Sequence, residues 1–370
     1  MSAAPSADQQ RQFPCKQCGA NLQYAPGTQT LVCPYCGTAN EIPESREVVE
    51  ELDYRAWLEK VAHEQVQEEV LTIHCQTCGA QSSLPANVTA DLCPFCGSPV
   101  VATAASRRLI KPHCLLPFHV TREQAQESFR RWIAGLWLAP NALKRNADAA
   151  GIKGIYIPAW TYDCDTRTHY TGQRGDDYWV TETYTTVVNG KTVVRTRRVR
   201  KTRWRYVSGT VYNRFDDVLV LAEKSLPRKY AEALEPWDLK SCTAYSDEYL
   251  SGFAAESYQI DLPTGFEIAR QAMQEPIAVS IRQDIGGDHQ RIDSVDTRYS
   301  NITFKHILLP VWLSAYRYHD KTFRFLVNAR TGEVQGERPW SAIKIILLVV
   351  FLLAVIGTAL LLASGGEIRF

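Results

Sequence analysis

The chain has 370 residues, of which 45% are hydrophobic and 22% are charged, and its formal net charge is +1. This composition predicts one sizeable core with small modules, arranged as two or three domains. The near-neutral charge excludes binding of nucleic acid or anionic lipid by the field of the whole chain, so any such contact must be local.

Two cysteine patterns of the form C-x2-C-x14-C-x2-C lie sixty residues apart and follow residues 1–12, which we expect to be disordered. The N-terminus lacks the apolar stretch of a secretory signal, which indicates a reducing cytosol, where such pairs bind metal. The patterns predict two zinc ribbons, over residues 13–42 and 73–102, that together bind two zinc ions. Disulfides and iron centres are the alternatives. The predicted ligands are Cys15, Cys18, Cys33, Cys36, Cys75, Cys78, Cys93 and Cys96.

All four ligands in each predicted ribbon are cysteines. A site closed by four thiolates has no open position for water or substrate, so we expect the metal to hold the shape of the ribbon and to take no part in catalysis.

Residues 43–72 connect the ribbons, and the stretch from 41 to 70 carries ten acids against three bases. Its apolar residues are spaced roughly as one stripe of a helix: Val48, Leu52, Leu58, Val61 and Val66. The pattern predicts an acidic linker helix. It is either a solvated spacer or a docking face for a basic partner or for the chain's own basic region.

Residues 108–340 alternate β-rich runs with helical stretches, which predicts an α+β domain with antiparallel sheets. Thr121 and Gln124 form a capping box that begins a helix packed on the sheet. A second helix is expected across residues 264–282, where Pro276 threatens a kink or a break.

The sequence "IYIPAW" at 155–160 resembles "ILLPVW" at 307–312. A resemblance over only six residues fits either chance or a distant internal duplication. A duplication predicts one domain of two related halves, with Trp160 and Trp312 in its core.

Between these motifs, two Thr/Val-rich runs flank Asn189 and Gly190, a strong hairpin signal. A two-residue turn pairs Glu182 with Arg197, Trp179 with Arg200 and Asp176 with Arg203. Cations then lie on both faces, so the hairpin cannot lie flat on a core and should project as a basic hairpin. The candidate anion contacts are Arg195, Arg197, Arg198, Arg200, Lys201 and Arg203.

Three roles remain open for this hairpin. Its charges either protect a solvated sheet edge, or contact anionic headgroups or the acidic linker, or bind nucleic acid.

No catalytic motif is convincing, which predicts a protein that is not an enzyme. "NGKT" at 189–192 imitates the end of a phosphate loop, but the pattern requires glycine where Thr185 stands. Asp163 and Asp165 are a weak acid pair at a strand end. Cys114, Cys164 and Cys242 are expected to be buried small hydrophobic residues.

Residues 345–363 form an uncharged run of 19 residues within a predicted transmembrane helix over 343–363, followed by a short tail, 364–370. As a helix the run is about 28 Å long, close to the thickness of a bilayer core. A buried core helix is the alternative. Arg330, Arg338 and Lys344 precede the span, so the positive-inside rule predicts a tail-anchored protein of the inner membrane with its bulk in the cytoplasm.

The stretches "LPVWLSAYRYHDKTFRFLVNARTGEVQGERPWS" and "YLSGFAAESY", together with the ribbons, resemble a bacterial family of zinc-ribbon, membrane-anchored proteins. This family is commonly labelled primosomal protein N′ (replication factor Y) or superfamily II helicase. The resemblance implies zinc binding at the eight cysteines. Some members are encoded beside SPFH-domain and phage-shock-like genes, which implies protein partners of that kind and a role in envelope stress.

The sequence therefore predicts a membrane scaffold that recruits protein partners, with valency as the reason for two ribbons. The alternative is a membrane-tethered nucleic-acid-binding protein, related to replication, that uses the ribbons and the basic hairpin.

Overall fold

The computed structural model describes residues 13–43, 49–63, 68–76, 80–83, 90–92, 99–101, 105–140, 151–188, 191–318, 321–338 and 340–364. Over these residues the fold is mixed α+β with mainly antiparallel sheets, as predicted. The described helices are α1 (Tyr54–His63), α2 (Arg122–Gly135), α3 (Arg228–Glu232), α4 (Leu262–Ile285) and α5 (Ala342–Ser364). The described strands are β1 (Gln23–Tyr24), β2 (Thr30–Val32), β3 (Ala39–Glu41), β4 (Leu52–Asp53), β5 (Glu68–His74), β6 (Gln81–Ser83), β7 (Ala90–Leu92), β8 (Pro99–Val101), β9 (Ala105–Leu109), β10 (Cys114–Leu115), β11 (Lys153–Val188), β12 (Lys191–Leu221), β13 (Thr243–Ala244), β14 (Ala254–Ala255), β15 (His289–Tyr318), β16 (Lys321–Asn328) and β17 (Val334–Gly336).

A nine-stranded sheet forms the body of the protein. Its central path runs β12-β11-β15-β10-β13, and the strands β4, β14, β16 and β17 pair beside this path. The long strands β11, β12 and β15 pair antiparallel, whereas the short strands β10 and β14 pair parallel to β15 and β11. The sheet is therefore antiparallel in its long pairs and mixed at its short strands.

The first part of β11 is buried on both faces of this sheet. Successive side chains point to opposite faces, so Tyr156 and Trp160 lie on one side, in the clusters that contain helices α2 and α4. Ile155 and Ile157 lie on the other side, in the cluster that contains Trp237. Burial on both faces explains why the sequence is apolar without interruption here.

The two similar motifs make matching contacts, which supports an internal duplication. They lie on adjacent antiparallel strands, where Ile157 pairs with Leu309. The indole of Trp160 donates a hydrogen bond of 2.8 Å to the carbonyl directly before the N-cap of α4. The indole of Trp312 donates one of 2.8 Å to the carbonyl directly before the N-cap of α2.

The short parallel strands repeat the same correspondence. Cys114 in β10 pairs with Ile307, the first residue of one motif, and Ala254 in β14 pairs with Ile155, the first residue of the other. Each short strand leads directly into its helix. The body therefore consists of two related halves, and the tryptophan of each half contacts the start of the other half's helix.

The structure tests two helix predictions, the capping box at Thr121 and the effect of Pro276. The capping box is confirmed, since Thr121 accepts from the amide of Gln124 and the Gln124 side chain accepts from the amide of Thr121. Of the predicted kink or break at Pro276, the break does not occur, because α4 continues through this residue. Met273, Ile277 and Ile281 are buried, and this packing holds the helix despite the hydrogen bond that proline cannot make.

The long hairpin has the predicted register. Glu182 pairs with Arg197, Trp179 with Arg200 and Asp176 with Arg203. The third strand, β15, begins opposite Gly175, so residues 176–188 and 191–203 form a two-stranded ribbon. We call these residues the finger. At about 3.3 Å per residue the finger extends roughly 43 Å beyond β15.

The linker helix is shorter than predicted. Helix α1 ends at His63, and residues from Glu68 onwards form β5, which pairs with β9. The run "VLTI" in β5 is rich in β-branched residues, which favours a strand. Leu52 and Leu58 pack against the cluster beneath α4, whereas Val48 and Val66 lie outside the described residues.

Candidate functional site

The four cysteines of the first ribbon converge on one point. Sγ of Cys15 lies 3.6 Å from Sγ of Cys36, and Sγ of Cys18 lies 3.4 Å from Sγ of Cys33. All four sulfur atoms lie within 4.8 Å of one another. A tetrahedral site with metal–sulfur bonds of about 2.3 Å has sulfur–sulfur distances of about 3.8 Å, so the cluster is positioned to bind a metal ion.

The local backbone explains this convergence. In each knuckle the first cysteine's carbonyl accepts from the amide of the glycine four residues later, Gly19 at 2.9 Å and Gly37 at 3.0 Å. Both glycines have a φ near +70°, and no atom lies within 4 Å of the position that a Cβ would take. The glycines are therefore required by their backbone angle and not by lack of space.

The site has a buried side and an exposed side. Cys15 and Cys33 are buried in the main cluster, whereas Cys18 and Cys36 are exposed. Hydrogen bonds from Thr38 lower the pKa of Cys36 to about 6, which favours the thiolate that a metal requires. An ion held by all four thiolates would have no ligand position open for substrate.

The first ribbon is packed against the body. Leu22, Tyr24 and Leu31 belong to the same buried cluster as helix α2. The amide of Gly27 donates to the carbonyl of Phe118 at 2.8 Å, and the amide of Tyr24 donates to the carbonyl of Ser251 at 3.0 Å. The ribbon is thus held in a fixed position by both halves of the body.

The residues of the predicted second ribbon are described only in part. The amide of Cys75 donates to the carbonyl of Ala80 at 2.8 Å, which repeats the bond of 2.7 Å from Cys15 to Ala20. Cys75 is buried in the cluster on the other face of the sheet. The remaining predicted ligands lie outside the described residues: Cys78, Cys93 and Cys96.

Helix α5 contains the predicted span. Its segment Ala342–Leu360 is long and apolar enough to cross a membrane, and none of it is buried inside the protein. A soluble core helix with this composition would be covered by other elements. The exposure therefore favours a membrane span over the alternative of a core helix.

The start of α5 is attached firmly to the body. The ammonium of Lys344 donates to the carbonyl of Trp137 at 3.0 Å and to that of Ala139 at 2.8 Å. The amide of Ser341 donates to the carbonyl of Leu138 at 2.9 Å. These bonds fix the span to the loop that follows α2.

Two tryptophans are exposed at this attachment. Trp137 is 60% exposed and Trp340 is 54% exposed, and the guanidinium of Arg338 lies 4.5 Å from the ring centre of Trp340. Tryptophan is enriched where proteins meet the membrane–water interface. Neither tryptophan was among the predicted site residues, although Trp340 stands three residues before the predicted span, where such rings are expected.

The finger carries its cations in two kinds of contact. Glu182 forms ion pairs with Arg197 at 3.3 Å and with Lys201 at 2.8 Å. Other guanidinium groups lie over exposed aromatic rings, as Arg198 does over Trp179 at 5.4 Å. Arg195 and Arg197 share one face and Arg198 and Arg200 the other, as the register predicts.

Asp163 and Asp165 lie inside β11 and not at a strand end as predicted, and they do not form an acid pair. Asp163 accepts from the amide of Asp217 at 2.6 Å, whereas Asp165 accepts from the side chain of Asn301 at 2.8 Å. Asp163 instead joins Glu51 and Asp216, whose carboxylate oxygens lie within 4.8 Å of one another.

A lysine compensates this acidic corner. Lys305 forms ion pairs with Glu51 at 3.0 Å and with Asp217 at 2.7 Å. Burial and the hydrogen bond with Glu51 raise the pKa of Asp163 to about 7. The corner lies where β4 pairs with β15, so these bonds attach the linker to the body.

A buried carboxyl pair was not predicted. The hydroxyl of Ser225 lies 3.0 Å from Glu223 and 2.9 Å from Glu256. A hydroxyl donates only one hydrogen, so the other carboxyl must carry a proton and donate. Glu223 also accepts from the amide of Leu226, and burial raises the pKa of Glu256 well above its usual range, which assigns the proton to Glu256.

The three other cysteines lie away from the metal cluster. Cys114 and Cys164 are buried and Cys242 is partly buried. The hydrogen bond between Cys114 and Cys242 raises the pKa of Cys114 and lowers the pKa of Cys242. These positions agree with the expected role as small hydrophobic residues.

No family model matches the chain, and no solved structure matches it. The chain is similar to the uncharacterized protein YdjG of Bacillus subtilis (strain 168), with 26% identity over 263 residues. The match covers 67% of this chain and 70% of that protein. The relation to the family labelled primosomal protein N′ stays a prediction.

Proposed function

We propose that the chain is a non-enzymatic scaffold, anchored in the inner membrane by α5, that recruits protein partners to the cytoplasmic face. The observation that carries this proposal is the exposed apolar helix attached to the body through Lys344. Trp137 and Trp340 support it, since they are exposed beside the start of the helix. Arg330, Arg338 and Lys344 precede the span and favour a cytoplasmic body.

The proposed metal is zinc at both ribbons. The four-cysteine cluster of the first ribbon supports this choice, because thiolates are soft ligands and zinc takes four of them in a tetrahedron. The cytosol keeps the same thiols reduced when no metal is bound. For the second ribbon, the repeated cysteine spacing and the repeated bond at Cys75 support the assignment.

Each ribbon would present an aromatic side chain to a partner. Tyr35, between the cysteines of the second knuckle, is 83% exposed, and Phe95 occupies the same place in the repeated motif. Exposed aromatic residues on a rigid support often carry much of the binding energy of an interface. Two such contacts on one chain raise the effective concentration for a repeated or oligomeric partner.

Affinity capture tests this proposal with full-length protein solubilised in detergent. The expected result is recovery of membrane-scaffold or stress proteins, for which the family resemblance suggests an SPFH-domain or phage-shock-like protein. Tyr35→Ala or Phe95→Ala should each reduce the recovery, whereas Tyr35→Phe retains the ring and should preserve it. Unchanged recovery with both alanine variants would contradict recruitment through the knuckles.

The finger favours a second candidate function. Its arginines lie over exposed aromatic rings, a combination that single-stranded nucleic acids bind by stacking and phosphate contacts. This candidate is a membrane-tethered nucleic-acid-binding protein. Recovery of DNA, RNA or replication proteins in the same capture, with affinity that falls steeply with salt, would replace the first proposal by this one.

A further inference from the structure

We propose that the finger binds the surface of a bilayer that contains anionic lipid, with its uncharged tip among the headgroups and its arginines at the phosphates. The inference rests on the proposed function only for placing the protein at a membrane. The finger and α5 are separate elements, so each can be disproved without the other.

The first observation is a stretch near the turn that is uncharged except for Lys191. Residues 183–188 carry no charge, and neither do residues 192–194 on the opposite strand. Val187 is 68% exposed and Val194 is 65% exposed. Three consecutive cross-strand pairs, from Thr185 to Val187 with their partners, are uncharged, which is about 10 Å of ribbon.

Lys191 sits beside the turn and limits how deep the tip can enter. An ammonium at the end of the finger must stay hydrated or contact phosphate, because burying it in hydrocarbon is costly. The tip therefore fits the headgroup layer and would not cross the hydrocarbon core.

The second observation is the aromatic band behind the tip. The exposed rings are those of Tyr184, Trp179 and Tyr178. A guanidinium lies over each ring, at 5.6 Å for Tyr184, 5.4 Å for Trp179 and 5.1 Å for Tyr178. Tyrosine and tryptophan are enriched at membrane–water interfaces, so these exposed rings support contact of the finger with a bilayer surface.

The third observation is the charge of the finger. It carries seven Lys or Arg against three acids, Asp176, Asp177 and Glu182, which leaves a net charge of +4. Among the residues that the structure describes, Arg195, Arg198 and Arg203 form no ion pair. Their charges are available to anionic headgroups on both faces of the ribbon.

The exposed valines near the turn distinguish lipid from nucleic acid as the ligand of the finger. Both ligands offer phosphates to the arginines and surfaces to the aromatic rings. Only a bilayer also offers an environment in which exposed valines leave water, so the exposed valines near the turn, followed by interleaved aromatic and basic residues, favour lipid.

Vesicle binding by full-length protein tests the inference. The protein is reconstituted into phosphatidylcholine vesicles, where resistance to carbonate extraction confirms that α5 is inserted. Acceptor vesicles of phosphatidylcholine mixed with phosphatidylglycerol are then added, beside acceptors of phosphatidylcholine alone. Clustering with the anionic acceptors alone is the expected result if the finger reaches another membrane.

A second arm tests contact with the protein's own membrane. The protein is reconstituted into bilayers that contain phosphatidylglycerol and headgroup-region quenchers of tryptophan fluorescence. Quenching that Trp179→Phe removes is the expected result if the finger lies on the membrane that holds α5. Absence of both clustering and Trp179 quenching would overturn the inference while leaving the anchor established by carbonate resistance.

Two sets of variants test the charge of the finger and its exposed valines separately. Arg198→Glu/Arg203→Glu should reduce binding at least about tenfold, whereas Arg198→Lys/Arg203→Lys should retain most of it. Val187→Asp/Val194→Asp should also reduce binding, because it removes the apolar tip. If only the arginine change matters, tip insertion is wrong, and if single-stranded DNA binds the finger in preference to the vesicles, the lipid assignment is wrong.

Discussion

Residues 155–162 and residues 176–188 belong to the same strand, β11, but the first part is buried on both faces and the second has no buried side chain among its described residues. The first part is stabilised by packing, with Trp160 fully enclosed between strand and helix. The second part has cross-strand hydrogen bonds, exposed ion pairs and cation–π contacts. Regular secondary structure thus serves two purposes in one strand: it fills a core and it presents a surface.

Removing cysteines from the first ribbon should give the largest loss of stability. This change tests whether the packing of the first ribbon against the main cluster contributes to the stability of the core. Cys15→Ser/Cys18→Ser should reduce bound zinc from two ions per chain to one and unfold the first ribbon. Leu22, Tyr24 and Leu31 would leave the main cluster, each at a cost of about 1.5–3 kcal/mol.

Zinc content by mass spectrometry and the thermal midpoint of the solubilised protein measure this change. Cys75→Ser/Cys78→Ser is the matched control, since it removes the same groups from the other ribbon. A variant with unchanged zinc content would show that Cys15 and Cys18 do not bind the ion.

Two tryptophans on β11 compare the buried part of the strand with its exposed part. Trp160→Ala should reduce the free energy of unfolding by about 3–5 kcal/mol, because it opens a cavity and leaves the carbonyl before α4 without its donor. Trp179→Ala, on the finger, should change it by less than about 0.5 kcal/mol. Urea unfolding in detergent measures the free energy of unfolding of both variants. A similar loss for Trp179→Ala would mean that the finger packs against another part of the protein in solution.

The buried carboxyl pair predicts a dependence of stability on pH. Burial raises the pKa of Glu256 in the folded protein, so the folded state binds a proton that the unfolded state releases. This contribution to stability is present below the unfolded pKa and is lost as pH rises towards the folded pKa. Glu256→Gln should therefore be more stable than wild type at pH 8, by about 1 kcal/mol or about 2–4 °C in midpoint.

Thermal midpoints between pH 5 and pH 8 measure this difference, which should shrink towards pH 5. Glu59→Gln removes an equal charge from an exposed position and serves as the control. An advantage of Glu256→Gln that did not change with pH would contradict a proton on this carboxyl.

The smallest effect is expected on the finger. Arg198→Gln/Arg200→Gln removes an exposed cation–π contact and the 3.4 Å ion pair with Asp177. Exposed pairs of this kind contribute little, so the free energy of unfolding should change by less than about 0.5 kcal/mol. A thermal midpoint that fell by several degrees would show that these arginines stabilise the fold and are not reserved for a partner.

Local patterns predicted several elements correctly. The capping box at Thr121 placed the start of α2, and the turn at Asn189 with its two-residue period placed every predicted pair of the finger. Local patterns failed where packing against residues far away in the sequence outweighs the intrinsic helix or strand propensity. Pro276 lies inside a helix because its neighbours are buried, and residues 68–74 form a strand because β9 lies beside them.

The sequence by itself determined the cysteine spacing that brings four sulfurs together, the register of the finger and the length of the apolar helix, since each depends on residues close along the chain. Only the tertiary structure decided that Trp160 and Trp312 contact the helix starts of opposite halves and that Glu256 shares Ser225 with Glu223. The tryptophan contacts join residues 100 and 192 positions apart. Periodicity and turn chemistry act over a few residues, so contacts at that separation are fixed only when the sheet packs against its helices.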